Sequence, residues 1–400
     1  MKTEIKQRIA QLNNGEVPSG YEKTDFGIFP CDWVTDKKLK DLGSFGKGKG
    51  LPGDKMTTEG VPCVGYGDIY MKYNHFHFEE AQTFVDEETA SESQPIHKGT
   101  LLFTGTGETA DEIGKCVCYN GDETIYAGGD IITFVADKVN PLFLAYQQYQ
   151  EFSLRKKASF GQGHSVVHIQ RENLEKLNVA YPKSTEEQSQ IAEILMKWDE
   201  AIELQEQYID ILEIRKRYLM KKLLTPKDNW KYVLLGNIGD IKTGRLDANA
   251  MEEDGIYPFF TCSKEVYRIN QYSFDCEALL MAGNGDIGDV KYYNGKFDAY
   301  QRTYVLSNFS FNIKYVMQYL LLNFDRDVMK GMQKSSMPYI KLDLLKNAKI
   351  YYDPSMVEKI VTILSTVDNE IEQHNIKLEQ LKKQRKTLQQ YLLNGIVRVK

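Results

Sequence analysis

The feature that most restricts how this chain can fold is a helical seam that occurs twice. Residues 183–224 read KSTEEQSQIAEILMKWDEAIELQEQYIDILEIRKRYLMKKLL, and residues 356–393 read MVEKIVTILSTVDNEIEQHNIKLEQLKKQRKTLQQYLL. In the first, Trp198, Ile202, Ile209, Leu212, Leu219 and Leu223 fall on a heptad pattern. Moving 169 positions along the chain lands on Val367, Ile371, Leu378, Leu381, Leu388 and Leu392, apolar at every one. The polar interruptions coincide too, Gln205 with His374 and Lys216 with Arg385. Such a seam belongs to long helices that pack against one another. The first helix opens with Glu186, Glu187, Glu193 and Asp199 and closes with Arg215, Lys216, Arg217, Lys221 and Lys222. In the second, Asp368, Glu370 and Glu372 precede Lys382, Lys383, Arg385 and Lys386. Each gradient complements its own helix dipole. Laid antiparallel, the acidic half of one helix meets the basic half of the other; a parallel pair would set like against like.

The segments upstream of the two helices also match. Asp32-Trp33 answers Asn229-Trp230, and LGSFGKGKGL from Leu42 answers LGNIGDIKTGRL from Leu235. LLFTGTGETADEIGKC from Leu101 answers LLMAGNGDIGDV from Leu279, AGGDIITFV from Ala127 answers DAYQRTYVL from Asp298, and HIQRENLEKLNVAYP from His168 answers YIKLDLLKNAKIYYDP from Tyr339. The offset shrinks along the way, which reads as loop deletion in the second copy. The repeat also judges the motifs. Gly43 to Lys49 spells G-x-x-x-x-G-K, but Gly50 replaces the Ser or Thr of a P-loop, and the second copy sets Ile241 where the glycine before the lysine should be. GNGDIG from Gly283 is followed by DVKYYNGKFDAY, a strand pattern, where a dinucleotide site needs a helix. Asp353-Pro354-Ser355 is a strand exit.

The expected class is therefore mixed α+β (α/β): two similar globular domains separated by a long antiparallel two-helix coiled coil, a pseudo-two-fold internal repeat. The divisions are an N-terminal extension over 1–24, a first globular domain over 25–182, a long helix over 183–225, a second globular domain over 226–354 and a second long helix over 355–400. Each domain carries its own helix, from Pro141 and from Ile313. A net charge of -6 does not exclude nucleic acid, because a basic groove can sit on an acidic molecule. No run of 18 apolar residues occurs, so no membrane partner is expected. The six cysteines form no C-x-x-C pair and read as reduced thiols of a cytoplasmic protein, with no metal site. The six histidines are scattered, and no catalytic constellation repeats between copies; His75 and His77 read as strand residues.

Two similar heads on a rod suit a ligand with two sites at fixed separation. About 35 residues of helix span ~50 Å, or ~15 base pairs of duplex at 3.4 Å each. PSGYEKTDFGIFPCDW near the start, the paired G-x-G turns, and HIQRENLEKLNVAYP running into EEQSQIAEIL resemble the specificity (S) subunits of Type I restriction-modification systems over nearly the whole chain. The resemblance implies two target recognition domains reading an asymmetric split target in double-stranded DNA, and a chain that is not itself an enzyme and holds no cofactor. It implies two modification subunits that methylate adenine at N6 with S-adenosylmethionine, docked on the helices. It also implies restriction (endonuclease and translocase) subunits using ATP and Mg²⁺. Val357 to Ile363 departs from the family's E-x-x-Q-x-x-I pattern, which bears on docking there.

Base and phosphate contacts favour Lys, Arg, Asn, Gln, Ser and Thr. Where the scaffold repeats but the polar residue changes, the candidates are Lys47, Lys49, Thr104, Thr106, Gln162 and His164 in the first domain. In the second they are Lys242, Arg245, Asn284, Gln301, Arg302, Lys334 and Ser335. A protein–protein scaffold with two ligand-binding heads and no DNA role is the alternative, and the acidic charge is its support. A fused methyltransferase is a third, which the failed motifs disfavour.

Overall fold

The computed structural model describes residues 3–73, 76–163, 166–327 and 339–399. The chain divides into two compact units, Met1–Leu204 with Leu378–Lys400, and Gln205–Lys377. Unit 1 opens with α1 (Thr3–Asn13) and is built on a five-stranded sheet. Its strands are β1 (Gly43–Lys47), β2 (His77–Phe78), β3 (Thr100–Thr104), β4 (Cys116–Tyr119) and β5 (Ile131–Ala136), in the order β1-β5-β3-β4-β2. All neighbours are antiparallel except β4 and β2. Unit 2 has β6 (Asp240–Thr243), β7 (Tyr257–Phe260), β8 (Val266–Ile269), β9 (Phe274–Ala282), β10 (Val290–Ala299) and β11 (Thr303–Ser307), ordered β6-β11-β9-β10-β7-β8. Here the parallel pair is β10 with β7. The first five strands of this order repeat the sheet of unit 1, down to the place of the parallel pair.

Each sheet is overlaid by a helix whose start is fixed by an asparagine. Before α2 (Pro141–Gln147), the Asn140 Oδ1 accepts the Phe143 N–H at 3.0 Å. Before α4 (Ile313–Asp327), the Asn312 Oδ1 accepts the Tyr315 N–H at 3.1 Å. Such caps satisfy donors that have no partner within the helix. The long helices are α3 (Thr185–Leu224) and α5 (Val357–Leu393). The Ser184 hydroxyl accepts the Glu187 N–H at the start of α3, and Pro226 stands just past its end. Past the end of α5 comes Gly395 at φ 65°, a left-handed stop that favours glycine. A Cβ there would also lie 2.5 Å from Pro30 Cγ.

In unit 1, Ile191 and Leu195 of α3 join Leu392 and Leu393 of α5 in one core with Trp33, Phe103, Phe134 and Phe143. In unit 2, Met220 and Leu224 of α3 join Ile360 and Leu364 of α5 with Leu306, Tyr315, Val316 and Tyr319. Burying each such side chain contributes roughly 1.5–3 kcal/mol, so both ends of both helices are held by the domain cores. None of the twelve seam residues is exposed. The helices run antiparallel within each unit. In unit 1 Asp199 meets Arg385 at 2.8 Å; in unit 2 Gln205 meets His374 at 2.7 Å and Lys216 meets Asp368 at 2.6 Å. The polar interruptions thus pair across the seam. Asp199 and Asp368 are repeat equivalents, as are Lys216 and Arg385, so the two ion pairs are the same pair seen twice. Each acid also binds its own overlying helix: the Tyr146 hydroxyl donates to Asp199 at 2.8 Å, and Gln318 Nε2 to Asp368 at 2.5 Å.

The shorter second copy is not explained by loop trimming alone, as the sequence comparison suggested. Unit 1 carries a further four-stranded sheet of Thr83–Val85, Val61–Val64, Ile125–Ala127 and Gln94–Ile96, with apolar packing around Cys63 and Val85. Unit 2 instead extends its main sheet by β8.

The C-terminal tail is clasped inside unit 1. Arg398 binds both carboxylate oxygens of Asp32 at 2.9 Å and reaches Glu187 at 2.6 and 2.9 Å, while Arg8 and Tyr21 donate to the carbonyls of Ile396 and Gly395. Hydrogen bonding from Arg398 holds the Asp32 carboxyl below its ordinary value. A carboxyl depressed in the folded state adds stability above its unfolded pKa, and that contribution disappears as pH falls through the depressed value. Arg398→Gln is therefore expected to lower the urea midpoint of unit 1 at pH 7, with the gap to wild type narrowing as pH falls below the ordinary carboxyl value of about 4. A gap that persists unchanged in acid would remove Asp32 from the explanation.

Candidate nucleic-acid interface

In unit 1, β3 ends at Thr104 and the chain turns through Gly105 to Thr106. The Gly105 N–H donates to the carbonyl of Asp130, just before β5, at 2.8 Å; its carbonyl accepts the Ile169 N–H at 3.0 Å. In unit 2, Gly283 follows β9 and makes the same two bonds, to the Arg302 carbonyl at 2.9 Å and from the Ile340 N–H at 2.8 Å. The edge strands agree as well, since the Gly48 N–H bonds the Ile131 carbonyl as the Gly244 N–H bonds that of Thr303. A cleft of about 360 Å³ lies on this frame in unit 1 and one of about 390 Å³ in unit 2.

Eight positions of the two clefts correspond, and the unit 1 cleft is lined in addition by Gly46, Gln170, Arg171 and Glu172. Strand register sets Lys47 opposite Ile132 and Thr243 opposite Tyr304, so Lys47 matches Thr243 and Ile132 matches Tyr304. Gly105 matches Gly283, Thr106 matches Asn284, Asp130 matches Arg302, and Gly129 matches Gln301. The returning strand gives His168 against Tyr339 and Ile169 against Ile340. All sixteen residues line their respective clefts. The backbone frame repeats while the side chains change, as expected of two sites of one architecture with different ligand detail. In unit 1 the Thr106 hydroxyl lies 3.2 Å from His168 Nδ1. In unit 2 the Tyr304 hydroxyl donates to the Ile340 carbonyl at 2.7 Å, and burial raises its pKa, so it remains a donor.

This frame gathers Lys47, Thr106, Asn284, Gln301 and Arg302. Lys49 and Arg245 are exposed, one residue past the matched glycines Gly48 and Gly244. Gln162 is exposed and exchanges two backbone hydrogen bonds with His168. Thr104 is completely buried, its hydroxyl 2.8 Å from that of Tyr70, and it does not line the cleft. Lys242 is corrected in its pairing. It precedes Thr243 on β6, so strand alternation turns it to the other face. His164, Lys334 and Ser335 lie outside the described residues. Asp130 and Thr243 also line the clefts and were passed over because the sequence match ran one residue out of register at Asp130 and three at the β1 turn; His168 and Tyr339 line them too, and although matched in register they were not chosen. The glycine thought lost from the second copy is Gly244. No helix opens after Lys49 either: Gly50 and Leu51 take φ of 67° and 59°, and a 3₁₀ turn follows. Among the described residues no group of His, Cys, Asp or Glu could hold a metal ion, and no helix is long and apolar enough to cross a membrane.

Tandem domains sharing a frame and differing at the rim define a two-site recognition protein. The chain matches the family described as Type I restriction modification DNA specificity domain twice, over residues 30–213 and 227–383, and it belongs to that family. It is a DNA-sequence-recognition subunit of the Type I restriction-modification kind. It is 38% identical over 172 residues to the EcoDI specificity subunit of Escherichia coli, spanning 42% of this chain and 38% of that protein. It is 27% identical over 356 residues to the MjaVIII specificity subunit of Methanocaldococcus jannaschii, spanning 76% and 80%. In fold it is similar to the S subunit from M. genitalium, with a TM-score of 0.61, 18% identity, and coverage of 90% and 96%. A chain from a structure of type I R-M complex assembly gives a TM-score of 0.53 at 13% identity, covering 96% and 100%.

Proposed function

We propose that unit 1 and unit 2 each read one half of a split, asymmetric DNA target through the matched clefts, and that the lengths of α3 and α5 set the number of base pairs between the halves. The observation that carries this reading is the common frame with unlike rims. The recognition domains are taken as 25–182 and 226–354, with the helical regions 183–225 and 355–400 between and after them. Within unit 2, Tyr208, Ile211, Ile214 and Tyr218 leave an apolar stripe exposed along α3. Such a stripe suits docking of a partner's helix, here a modification subunit. Methyl transfer to adenine N6 with S-adenosylmethionine, and ATP- and Mg²⁺-dependent cleavage by restriction subunits, would then belong to partners in a cytoplasmic complex, two copies of each. All six cysteines are free thiols, in keeping with that compartment.

Inserting seven residues, one heptad, at matched points of α3 and α5 preserves the seam and adds about 10 Å. The gap between the two half-sites, read by selecting bound duplexes from a random pool, is expected to grow by about three base pairs. An unchanged gap would sink the ruler and leave the two-site reading intact.

A further inference from the structure

The two clefts differ most at a single matched position. Asp130 and Arg302 both stand just before the strand next to the sheet edge, β5 or β11, and both give their carbonyl to the turn glycine. Both are exposed, both line their cleft, and neither side chain has a hydrogen-bond or ion-pair partner among the described residues. Two free groups of opposite charge occupy one backbone site.

Resting on the reading that each unit serves one half-site, we infer that Asp130 and Arg302 are one specificity residue in two polarities. Asp130 accepts a hydrogen bond from the N4 amino group of a cytosine in one half-site. Arg302 donates to O6 and N7 of a guanine in the other. A carboxylate only accepts, and the phosphate backbone repels it, so at a DNA-facing rim its use is to meet a base amino group. The adenine amino group lies beside the N7 acceptor, which a carboxylate cannot satisfy; the cytosine edge has no such neighbour in the major groove. A guanidinium only donates, and the paired acceptors of guanine fit its fork. The neighbours differ as well: the cleft that holds Asp130 also holds Lys47 and Arg171, cations that can meet phosphate beside the acid, together with Glu172, whereas the position beside Arg302 that matches Lys47 is the uncharged Thr243.

The test selects bound duplexes from a random pool with the full chain in complex with its modification subunits, comparing wild type with Arg302→Gln and Asp130→Asn. Arg302→Gln is expected to reduce the preference for a G·C pair at one position of one half-site by about 10- to 100-fold. Asp130→Asn should do so in the other half-site and move the preference toward A·T, because an amide serves adenine. The untouched half-site reports that each variant is folded. Replacing the contacted guanine with 7-deazaguanine should weaken wild type but not Arg302→Gln, and have no effect at the Asp130 position. Unaltered base preferences in the variants overturn the assignment. So does an equal loss of affinity for all sequences, which marks a phosphate contact. A wild-type motif that is not split overturns the two-half-site reading instead.

Discussion

Replacing Arg385 with alanine is expected to destabilise unit 1 by about 3–5 kcal/mol, the range for stripping one partner from a buried ion pair. Asp199 is 4% exposed and Arg385 8%. The guanidinium binds both Asp199 oxygens at 2.8 and 3.1 Å and lies 4.2 Å from the ring centre of Phe76. Without it, the carboxylate keeps the Tyr146 hydroxyl but no cation. The repeat supplies its own control: the side chains of Lys216 and Asp368 are 24% and 29% exposed. Water screens that pair, and Lys216→Ala should cost below about 1 kcal/mol. Denaturant unfolding of the two variants measures the difference. Asp199→Leu with Arg385→Met should recover most of the loss, because an apolar pair needs no charge compensation. Equal effects at the two sites would mean that burial does not govern the seam.

The second large effect is expected at the glycines that shape the clefts. A Cβ on Gly48 would lie 1.7 Å from the Gly128 carbonyl oxygen, and one on Gly244 1.8 Å from that of Ala299. Neither obstacle is a side chain that could swing away, so admitting a methyl means parting the chain from its neighbour. Gly48→Ala and Gly244→Ala should each cost about 3 kcal/mol, the upper end of ordinary overpacking. Each should also erase one half-site from the selected DNA while sparing the other. Gly53→Ala, where a Cβ meets nothing within 4 Å, should be near neutral. If Gly244→Ala retains both half-sites, the turn is not the reading frame.

Both predictions draw on features of unequal visibility in the sequence. The seam was legible because a helix records its buried face every three or four residues, and the charge gradients added its direction. The strands hid more. β3 is buried at all five positions, so it shows no alternation from which to infer its faces or its register. Thr104 therefore looked as available as Thr106. A one-residue slip set Asp130 against Gln301, where hydrogen bonding pairs it with Arg302, and in a strand such a slip exchanges the two faces. The four-stranded sheet of unit 1 was unreadable for a related reason, since its strands of three or four residues are too short to carry a period.

The main-chain bonding around Gly105 and Gly283 has one more implication. The groups that hold each turn are peptide N–H and C=O, whereas the side chains projecting from the rim hold almost nothing together. Altering Asp130, Arg302, Asn284 or Gln301 should therefore leave folding nearly untouched while changing what is bound. A molecule organised in this way can acquire a new vocabulary by surface substitution alone, without renegotiating its architecture.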